Sequence, residues 1–98
     1  MLKVSVLDSG TQRRLLVEGS LTARWASELE SVWRQTREAH RDQTLVVDIG
    51  GTTVIDANGK AILTAMICEG AELVGTGVYT EYLVKTLVDR ARQMGCRF

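Results

Sequence analysis

The sequence predicts an α/β fold: one small domain, residues 1–98, with a mixed four- to five-stranded sheet and about three helices packed mainly on one face. Three observations lead to this prediction. A length of 98 residues leaves room for one hydrophobic core but not for two. Hydrophobic residues make up 45% of the chain, which is typical of a globular domain. Strand-like segments alternate with segments of helical periodicity, which favours parallel strands joined by right-handed crossovers.

The chain opens with a predicted β-hairpin. Residues 2–7 carry valines at two-residue spacing, which is typical of a strand. Residues 8–10, Asp-Ser-Gly, supply turn chemistry, and residues 15–17, Leu-Leu-Val, predict a second strand that ends at Gly19. This antiparallel pair is the element that makes the sheet mixed.

Residues 23–40 predict the first helix. Apolar side chains recur there at three- and four-residue spacing, and charged residues fill the other positions. Ser20 and Thr22 are both candidates for the residue that caps the amino end of this helix. We expect Trp33 to pack in the core. For Trp25, in the first turn, core packing and contact with a partner both stay open.

The middle of the chain predicts a strand followed by a second helix. Residues 45–49, Leu-Val-Val-Asp-Ile, suit a central strand covered on both faces, and a glycine turn is expected at residues 50–51. Asn58 followed by Gly59 also signals a tight hairpin turn. However, the apolar residues that follow are spaced as in a helix, so we predict a helix over residues 59–70 that stops at Gly70.

The last third predicts a short strand and a third helix. Residues 73–74 form the strand, and residues 75–77 form a flexible connection. The helix is expected to begin near Thr80 as its N-cap, with Tyr79 and Val84 spaced for a hydrophobic staple. Gly95 marks its end.

Charge and hydropathy exclude several classes of partner. Twelve basic and twelve acidic residues give a net charge of zero, whereas nucleic-acid binding normally needs a net basic face. No apolar run approaches the roughly 20 residues that span a bilayer, and the first ten residues lack the pattern of a secretory signal. We therefore predict no nucleic-acid partner, no direct membrane insertion and a cytoplasmic location.

Residues with catalytic chemistry are few. His40, the only histidine, falls in a charged stretch and is expected to be exposed at a helix end. Cys68 and Cys96 are too few for a disulfide framework and are predicted to be free thiols in a reducing cytoplasm. No cluster has metal-site spacing. Gly59 and Lys60 lack the earlier glycine and the following hydroxyl residue of a phosphate-binding P-loop. We predict no enzyme activity, no metal and no cofactor.

Residues 45–66, LVVDIGGTTVIDANGKAILTAM, resemble the central signature of the STAS family, which includes anti-sigma factor antagonists and the cytoplasmic tails of sulfate transporters. The family pattern is an apolar strand, an aspartate, a short turn, an apolar pair and then Asp-Ser-Ser-Gly at the start of an amphipathic helix. Here Asp48 matches the aspartate, and Val54 and Ile55 match the apolar pair. The Asp-Ser-Ser-Gly positions are occupied by Asp56, Ala57, Asn58 and Gly59.

The resemblance implies a binding turn that has lost its phosphorylation site. In the family, a cognate kinase phosphorylates the second serine, and the added charge of about −1.5 to −2 breaks a closely packed complex. Asn58 stands at that position and carries no hydroxyl, but asparagine can cap a helix as serine does. Asp56 either caps the helix or also takes part in the interface. A second hypothesis is that phosphorylation of another hydroxyl, such as that of Thr52, Thr53 or Thr64, controls binding.

The resemblance further implies a regulatory protein-binding module of a bacterial signalling system. The expected partner is a kinase-like anti-sigma factor or another switch protein. The expected contact surface comprises Asp56, Ala57, Asn58, Gly59 and Lys60, with Arg24 and Trp25 beside them and Thr22 and residues 76–79 as neighbours. These segments all follow strands on the same side of a parallel sheet, where α/β folds usually place their sites.

Three other hypotheses stay open at this point. A nucleotide- or anion-sensing domain would use the glycines at residues 50–51 and 75–77 for backbone contacts with its ligand. An accessory subunit of a transporter ATPase would use the same docking surface for a different partner. A homodimer is compatible with the near-zero net charge, which offers little protection against self-association.

Overall fold

The computed structural model describes residues 1–8, 10, 12–39 and 43–96. Within these residues the chain forms four strands and three helices, which alternate as the sequence predicts. In chain order they are β1 (Leu2–Asp8), β2 (Gln12–Leu21), α1 (Ala23–Ala39), β3 (Thr44–Ile55), α2 (Ala57–Cys68), β4 (Glu72–Val74) and α3 (Val78–Gln93).

The four strands form one mixed sheet in the order β1-β2-β3-β4. β1 and β2 are antiparallel, with Val4 opposite Val17, so the predicted hairpin is confirmed. β2, β3 and β4 are mutually parallel, with Leu15 opposite Val47 and Val47 opposite Leu73. The carboxyl ends of the three parallel strands therefore point in one direction, and the starts of the three helices follow them.

The core lies between one face of this sheet and all three helices. Alternate residues of β2 and β3, among them Val17 and Ile49, are fully buried against side chains of each helix. Trp33 of α1, Leu63 of α2 and Leu87 of α3 belong to the same cluster. Packing of three helices on one face is thus confirmed, as is the prediction that Trp33 is a core residue. Each fully buried side chain of this size contributes roughly 1.5–3 kcal/mol of hydrophobic stabilisation.

β3 continues through both glycines to Ile55, so the predicted turn at residues 50–51 is wrong. The glycines permit close approach inside the strand instead. A Cβ on Gly50 would lie 2.6 Å from Thr76 Oγ1, and a Cβ on Gly51 would lie 2.8 Å from Glu18 Cγ. The pairing of β3 with β2 also shifts between Leu16 and Glu18 and again before Ser20, which marks bulges that bend the strand.

The segment after Asn58 is helical, so the alternative of a hairpin is excluded. α2 nevertheless begins at Ala57, two residues before the predicted start. Its end agrees with the prediction: Gly70 adopts a φ of 104°, and the N–H of Ala71 donates to the carbonyl of Met66 at 3.0 Å. A glycine in this left-handed conformation is a common helix stop.

The start of α3 differs from the prediction. The helix begins at Val78 with Gly77 as its N-cap, and no side chain caps it. Thr80 lies inside the first turn, where its hydroxyl donates to the Thr76 carbonyl at 2.5 Å. Tyr79 is therefore a helical residue, about half exposed, and it does not form the predicted staple with Val84.

Cys68 and Cys96 form a disulfide with a Cα–Cα distance of 5.2 Å, so the prediction of free thiols is wrong. Cys68 is the last residue of α2. After α3, Gly95 turns the chain back with a φ of 89°, and the Cys96 N–H donates to the Ala91 carbonyl at 3.1 Å. This turn places Cys96 against the core beside the end of α2. The two cysteines are 28 residues apart in the sequence, and this spacing did not indicate that they would lie close together in the fold.

Three further predictions concern His40, membrane insertion and metal binding. His40 lies outside the described residues. In the described part of the chain, no helix combines the length and the apolar character needed to cross a membrane. No three His, Cys, Asp or Glu side chains of that same part are grouped so that they could hold a metal ion.

Candidate functional site

Asp56 joins the start of α2 to the start of α1. Its backbone is extended, and it is the N-cap residue of α2. One carboxylate oxygen, Oδ1, accepts the Gly59 N–H at 2.8 Å, and the other, Oδ2, accepts the Ala23 N–H at 2.9 Å. Its own N–H donates to the carbonyl of Leu21, the last residue of β2, at 3.3 Å. One residue therefore fixes where two helices begin relative to each other.

These bonds favour the ionised form of Asp56. The Gly59 N–H, followed by the Ala23 N–H, lowers the pKa of the Asp56 carboxyl below its ordinary value of 3.8. Partial burial acts in the opposite direction and is outweighed. A carboxylate at a helix amino terminus is also favoured by the helix dipole. Asp56 is therefore charged at neutral pH, and both oxygens are used as acceptors.

Ala23 adopts a backbone conformation that alanine rarely visits. Its φ is 47°, and it is the only non-glycine residue with a positive φ in the described chain. The left-handed region costs an L-residue roughly 1–2 kcal/mol, and such strain tends to occur at functional sites. The conformation points the Ala23 N–H at Asp56, and the Trp25 N–H donates to the Thr22 carbonyl at 2.9 Å. Sequence periodicity carried no signal of this bend.

Gly59 allows the first turn of α2 to lie directly against the end of β2. A Cβ on Gly59 would overlap the carbonyl oxygen of Leu21 and would lie 2.8 Å from Ile55 Cγ1. Any larger side chain would push α2 away from the sheet. The match of Gly59 to the family glycine therefore has a steric explanation in this fold.

The exposed part of the turn consists of Ala57 and Asn58, which are both open to solvent. Asn58 does not cap α2, as the sequence suggested it could, because it lies in the first turn and Asp56 takes the capping position. We call Asp56, Ala57, Asn58 and Gly59 the docking turn. Its outer surface is small and neutral at Ala57 and Asn58, with Lys60 half-buried next to it.

The start of α1 lies beside the docking turn through the Ala23–Asp56 bond. Arg24 is exposed, and its guanidinium lies 4.8 Å from the centroid of the Trp25 ring. Trp25 is half-buried, so its outer part remains accessible. A stacked arginine and tryptophan form a surface of the kind that protein interfaces favour.

Residues 76–79 run from the connection after β4 into the first turn of α3. Thr76 lies against Gly50, just beyond the stretch from Val46 to Asp48 over which β3 pairs with β4. No hydrogen bond among the described residues joins this segment to the docking turn. The first turns of α3 expose three large side chains that the sequence pattern did not indicate. Val78 is 89%, Tyr79 51% and Tyr82 62% exposed.

The candidate hydroxyls differ in their access to solvent. Thr52 is buried, and its hydroxyl lies 3.5 Å from the Val17 carbonyl. Thr64 is also buried, and its hydroxyl donates to the Lys60 carbonyl at 2.7 Å. Thr53 is exposed on β3, three residues before Asp56. Of the three hydroxyls named from the sequence, only Thr53 is thus open to a modifying enzyme.

Asp48, which matches the aspartate of the family pattern, does not reach the docking turn. One of its carboxylate oxygens accepts from Arg14 at 3.0 Å, and the other accepts the Gly50 N–H at 2.9 Å. Its side chain lies on the face of the sheet opposite the helices, since its neighbours Val47 and Ile49 belong to the core. Asp48 therefore shapes the glycine-containing part of β3.

A recess of about 730 Å³ lies at the other end of the molecule, between the ends of α1 and α2 and the start of β3. Glu69 accepts from Trp33 Nε1 at 3.2 Å and from Arg37 at 2.7 Å within it. The two charges of Arg37 and Glu69 therefore neutralise each other. None of the site residues predicted from the sequence lines this recess.

Comparison with known proteins gives matches of fold but not of sequence. No family model matches the chain, and no curated protein sequence matches it significantly. Among solved structures, an anti-sigma factor antagonist from Mycobacterium paratuberculosis superposes with a TM-score of 0.77 at 22% identity, covering 92% of this chain and 81% of that one. The unphosphorylated anti-sigma factor antagonist SpoIIAA gives a TM-score of 0.63 at 9% identity, covering 94% and 98%.

A third structure, Mglu, gives a TM-score of 0.59 at 15% identity and matches 76% of this chain but 19% of its own length. Identities this low establish architecture and leave function to be argued from the site. The mixed four-stranded sheet, the three helices on one face and the two antagonist structures agree with one another. The chain has the STAS fold, the fold of the anti-sigma factor antagonists.

Proposed function

We propose that this chain is a regulatory protein-binding module of a bacterial signalling system that docks a kinase-like anti-sigma factor or a related switch protein. The observation that carries the proposal is the Asp56 carboxylate, which bonds the starts of α1 and α2 at once. It holds a neutral exposed turn, Ala57 and Asn58, beside the stacked Arg24 and Trp25. A preorganised surface of this kind lowers the entropic cost of binding.

Asn58 keeps the proposed site neutral and unphosphorylated. It occupies the position that resembles the phosphorylated serine, and its side chain can be neither phosphorylated nor charged. The module is therefore proposed to remain permanently competent to bind, without a switch at this turn. No cofactor and no catalytic step are part of the proposal. Both cysteines are joined to each other, so neither is available as a thiol nucleophile.

The test is the substitution Asn58→Asp. A negative charge at an exposed, closely packed docking surface is expected to weaken partner binding by about tenfold or more, through repulsion and desolvation. The fold is expected to persist, because an acidic residue in the first turn of a helix is electrostatically favourable. The measurement is capture of the partner from a lysate of the source cell, followed by titration with the captured protein.

Two control variants make this result interpretable. Asn58→Gln keeps the neutral amide and should capture the partner nearly as wild type does. Gln93→Glu adds the same charge at the exposed far end of α3 and should have no effect. Equal capture by wild type and Asn58→Asp would rule out the docking turn as the contact surface.

Regulation through Thr53 is a separate possibility that its exposure supports. A phosphate there would lie three residues from Asp56 and would act on the same surface by charge. Phosphopeptide mapping of the protein from its native cell decides between the two versions. A phosphorylated Thr53 would show that binding is controlled at this residue. An unmodified chain would support the proposal that the module is permanently competent to bind.

The geometry gives less support to a ligand sensor. Gly50 and Gly51 lie inside β3, with Thr76 and Glu18 close to the positions that side chains would occupy, so they do not form the glycine turn that a ligand site was expected to use. The charged groups Arg37 and Glu69 of the recess at the other end already pair with each other. A transporter ATPase as partner would use the same docking turn, so capture experiments identify it directly.

A further inference from the structure

The outer edge of β1 is a long strand edge that has no partner in the described chain. β1 stands at one end of the sheet and pairs with β2 along all seven of its residues, without a register shift. The other edge strand, β4, is three residues long, and such shortness is a common protection against pairing between molecules. β1 has neither proline nor a bulge, and Lys3 is its single lysine.

The outward-facing backbone groups of β1 can be assigned from one observed bond. The Ser20 N–H donates to the Met1 carbonyl at 3.0 Å, so Met1 directs its carbonyl towards β2. Direction alternates along an antiparallel strand. Lys3, Ser5 and Leu7 therefore also bond β2. The even-numbered residues, Leu2, Val4, Val6 and Asp8, direct their N–H and C=O groups away from the sheet.

This edge exposes apolar side chains on both faces of the sheet. Val6 is 43% and Leu7 48% exposed. Val6 lies opposite the core residue Leu15, on the helix side, and Leu7 lies opposite Arg14, on the open side. A partner that covers both must therefore extend the sheet itself.

We propose that a second copy of the chain pairs with this edge, antiparallel to β1, about a two-fold axis at Ser5. This register places Val4 opposite Val6 and Leu2 opposite Asp8, twice each. Every outward-facing residue of one strand then meets an outward-facing residue of the other, and each such pair exchanges two hydrogen bonds. The two-fold axis closes the assembly at two copies, so the edge does not propagate into a fibre.

Most side-chain pairs are complementary in the same register; the exception is Leu2 opposite Asp8, whose carboxylate is already paired with Arg13 at 2.9 Å. Val6 of each copy is covered by Val4 of the other, and Leu7 meets the aliphatic stem of Lys3. The two Lys3 side chains are four residues apart along the strand, about 14 Å, so they do not repel closely. The formal net charge of zero adds no long-range repulsion between copies. Self-complementarity of backbone and side chains favours a second copy over an unrelated partner.

The first test measures the mass of the full chain by sedimentation equilibrium from micromolar to millimolar concentration. Wild type is expected to pass from monomer to dimer, and Val6→Lys is expected to weaken the dimer by about tenfold or more. Met94→Lys alters another exposed apolar side chain, which lies just after α3 and away from β1, and this variant should dimerise as wild type does. A wild-type chain that stays monomeric throughout would overturn the proposal.

The second test fixes the register by cysteine cross-linking under mild oxidation. Ser5→Cys places two thiols directly across the axis, at a Cα distance of about 4.5 Å that a disulfide can span. Lys3→Cys holds the two thiols about 14 Å apart and serves as the matched control. The proposal requires a covalent dimer from Ser5→Cys and none from Lys3→Cys, with the bond located by peptide mass spectrometry. Equal cross-linking of both variants, or of neither, would refute this edge as the interface. The surface lies on β1, so either outcome leaves the docking turn to be judged separately.

Discussion

Asp56 shows how one side chain can serve the fold and a binding surface together. Its carboxylate accepts N–H groups from two different helices, Gly59 of α2 and Ala23 of α1. Capping alone would need only the first bond. The second bond holds Arg24 and Trp25 next to the docking turn and is associated with the unusual backbone of Ala23. Asp56 therefore contributes to the arrangement of both helices.

Asp56→Asn is expected to change the acid sensitivity of the fold. The pKa of Asp56 is lower in the folded protein than its ordinary value of 3.8, so the carboxylate stabilises the fold above that pH. This contribution is lost as the pH falls through the folded pKa. The variant lacks it at every pH, and its melting temperature should therefore fall less than that of wild type between about pH 5 and pH 2. Thermal melts over that range, with Asn58→Gln as control, measure the difference. Parallel curves for wild type and Asp56→Asn would contradict the role of the carboxylate.

Gly59→Ala is expected to destabilise the fold by about 1–3 kcal/mol. Replacing glycine by alanine normally strengthens a helix by roughly 0.5–1 kcal/mol. Here the added methyl group would overlap the Leu21 carbonyl and crowd Ile55, so the sign is reversed. Urea unfolding measures the free energy. Ala65→Gly, at an exposed position of the same helix, should show the ordinary loss of about 1 kcal/mol. A Gly59→Ala variant as stable as wild type would show that α2 is free to move outward.

At the residue scale, the sequence identified the docking turn but not all of its hydrogen bonds. The match of Asp56 and Gly59 to a known pattern located the start of α2 to within two residues, because an acceptor side chain followed by a glycine at that spacing favours a capped helix start. The bond from Ala23 could not be predicted, since it joins residues 33 positions apart. The sequence offered both Asp56 and Asn58 as caps, because both residue types favour that position. The structure confirms Asp56, since its backbone lies outside the helix and that of Asn58 lies inside it.

At the scale of elements, order was predictable and boundaries were not. Hydrophobic periodicity fixed the alternation of strands and helices, because burial on one face imposes it. The glycines at residues 50–51 suggested a turn, but the close approach of Glu18 and Thr76 uses them inside β3. The start of α3 was misplaced because Thr80 and Gly77 are both acceptable caps in sequence, and Gly77 takes the role with a φ of 89°.

The disulfide ties the carboxyl end of α2 to the segment after α3. Replacing Cys68 and Cys96 together by serine is expected to lower the free energy of unfolding by about 3.5 kcal/mol, the loop-closure estimate for a separation of 28 residues. Denaturant unfolding of wild type with and without a reductant gives an independent measure. The reductant should leave the double variant unaffected, which makes it the control. Equal stability of oxidised and reduced wild type would mean that the two helix ends stay together without the bond.

At the scale of the whole molecule, two proposed contact surfaces lie on different elements. The docking turn is at the amino end of α2, beside the start of α1, whereas the proposed self-association uses the outer edge of β1. β1 pairs only with β2 and shares no hydrogen bond with the docking turn among the described residues. The fold therefore allows a dimer that presents two docking turns.

The two surfaces are expected to act independently. Val6→Lys should weaken dimerisation and leave capture of the partner by each copy unchanged, and Asn58→Asp should do the reverse. Substitutions at separate sites that share no partner usually have additive effects on free energy. A double-mutant cycle tests this independence. It compares the dimer affinity, from sedimentation, and the partner affinity, from titration, of wild type, the two single variants and the double variant. A strong non-additive term in either measurement would show that the surfaces are coupled.

Hydrogen exchange of the complex with the captured partner tests the central claim most directly. The first N–H groups of α2 have no acceptor within their own helix, so they should exchange quickly in the free protein. Binding at the docking turn is expected to slow exchange at Ala57 and Asn58, and at the exposed Arg24 on α1. Exchange at the recess beside Arg37 and Glu69 should not change. Protection confined to that recess, with the docking turn unaltered, would contradict the proposed function.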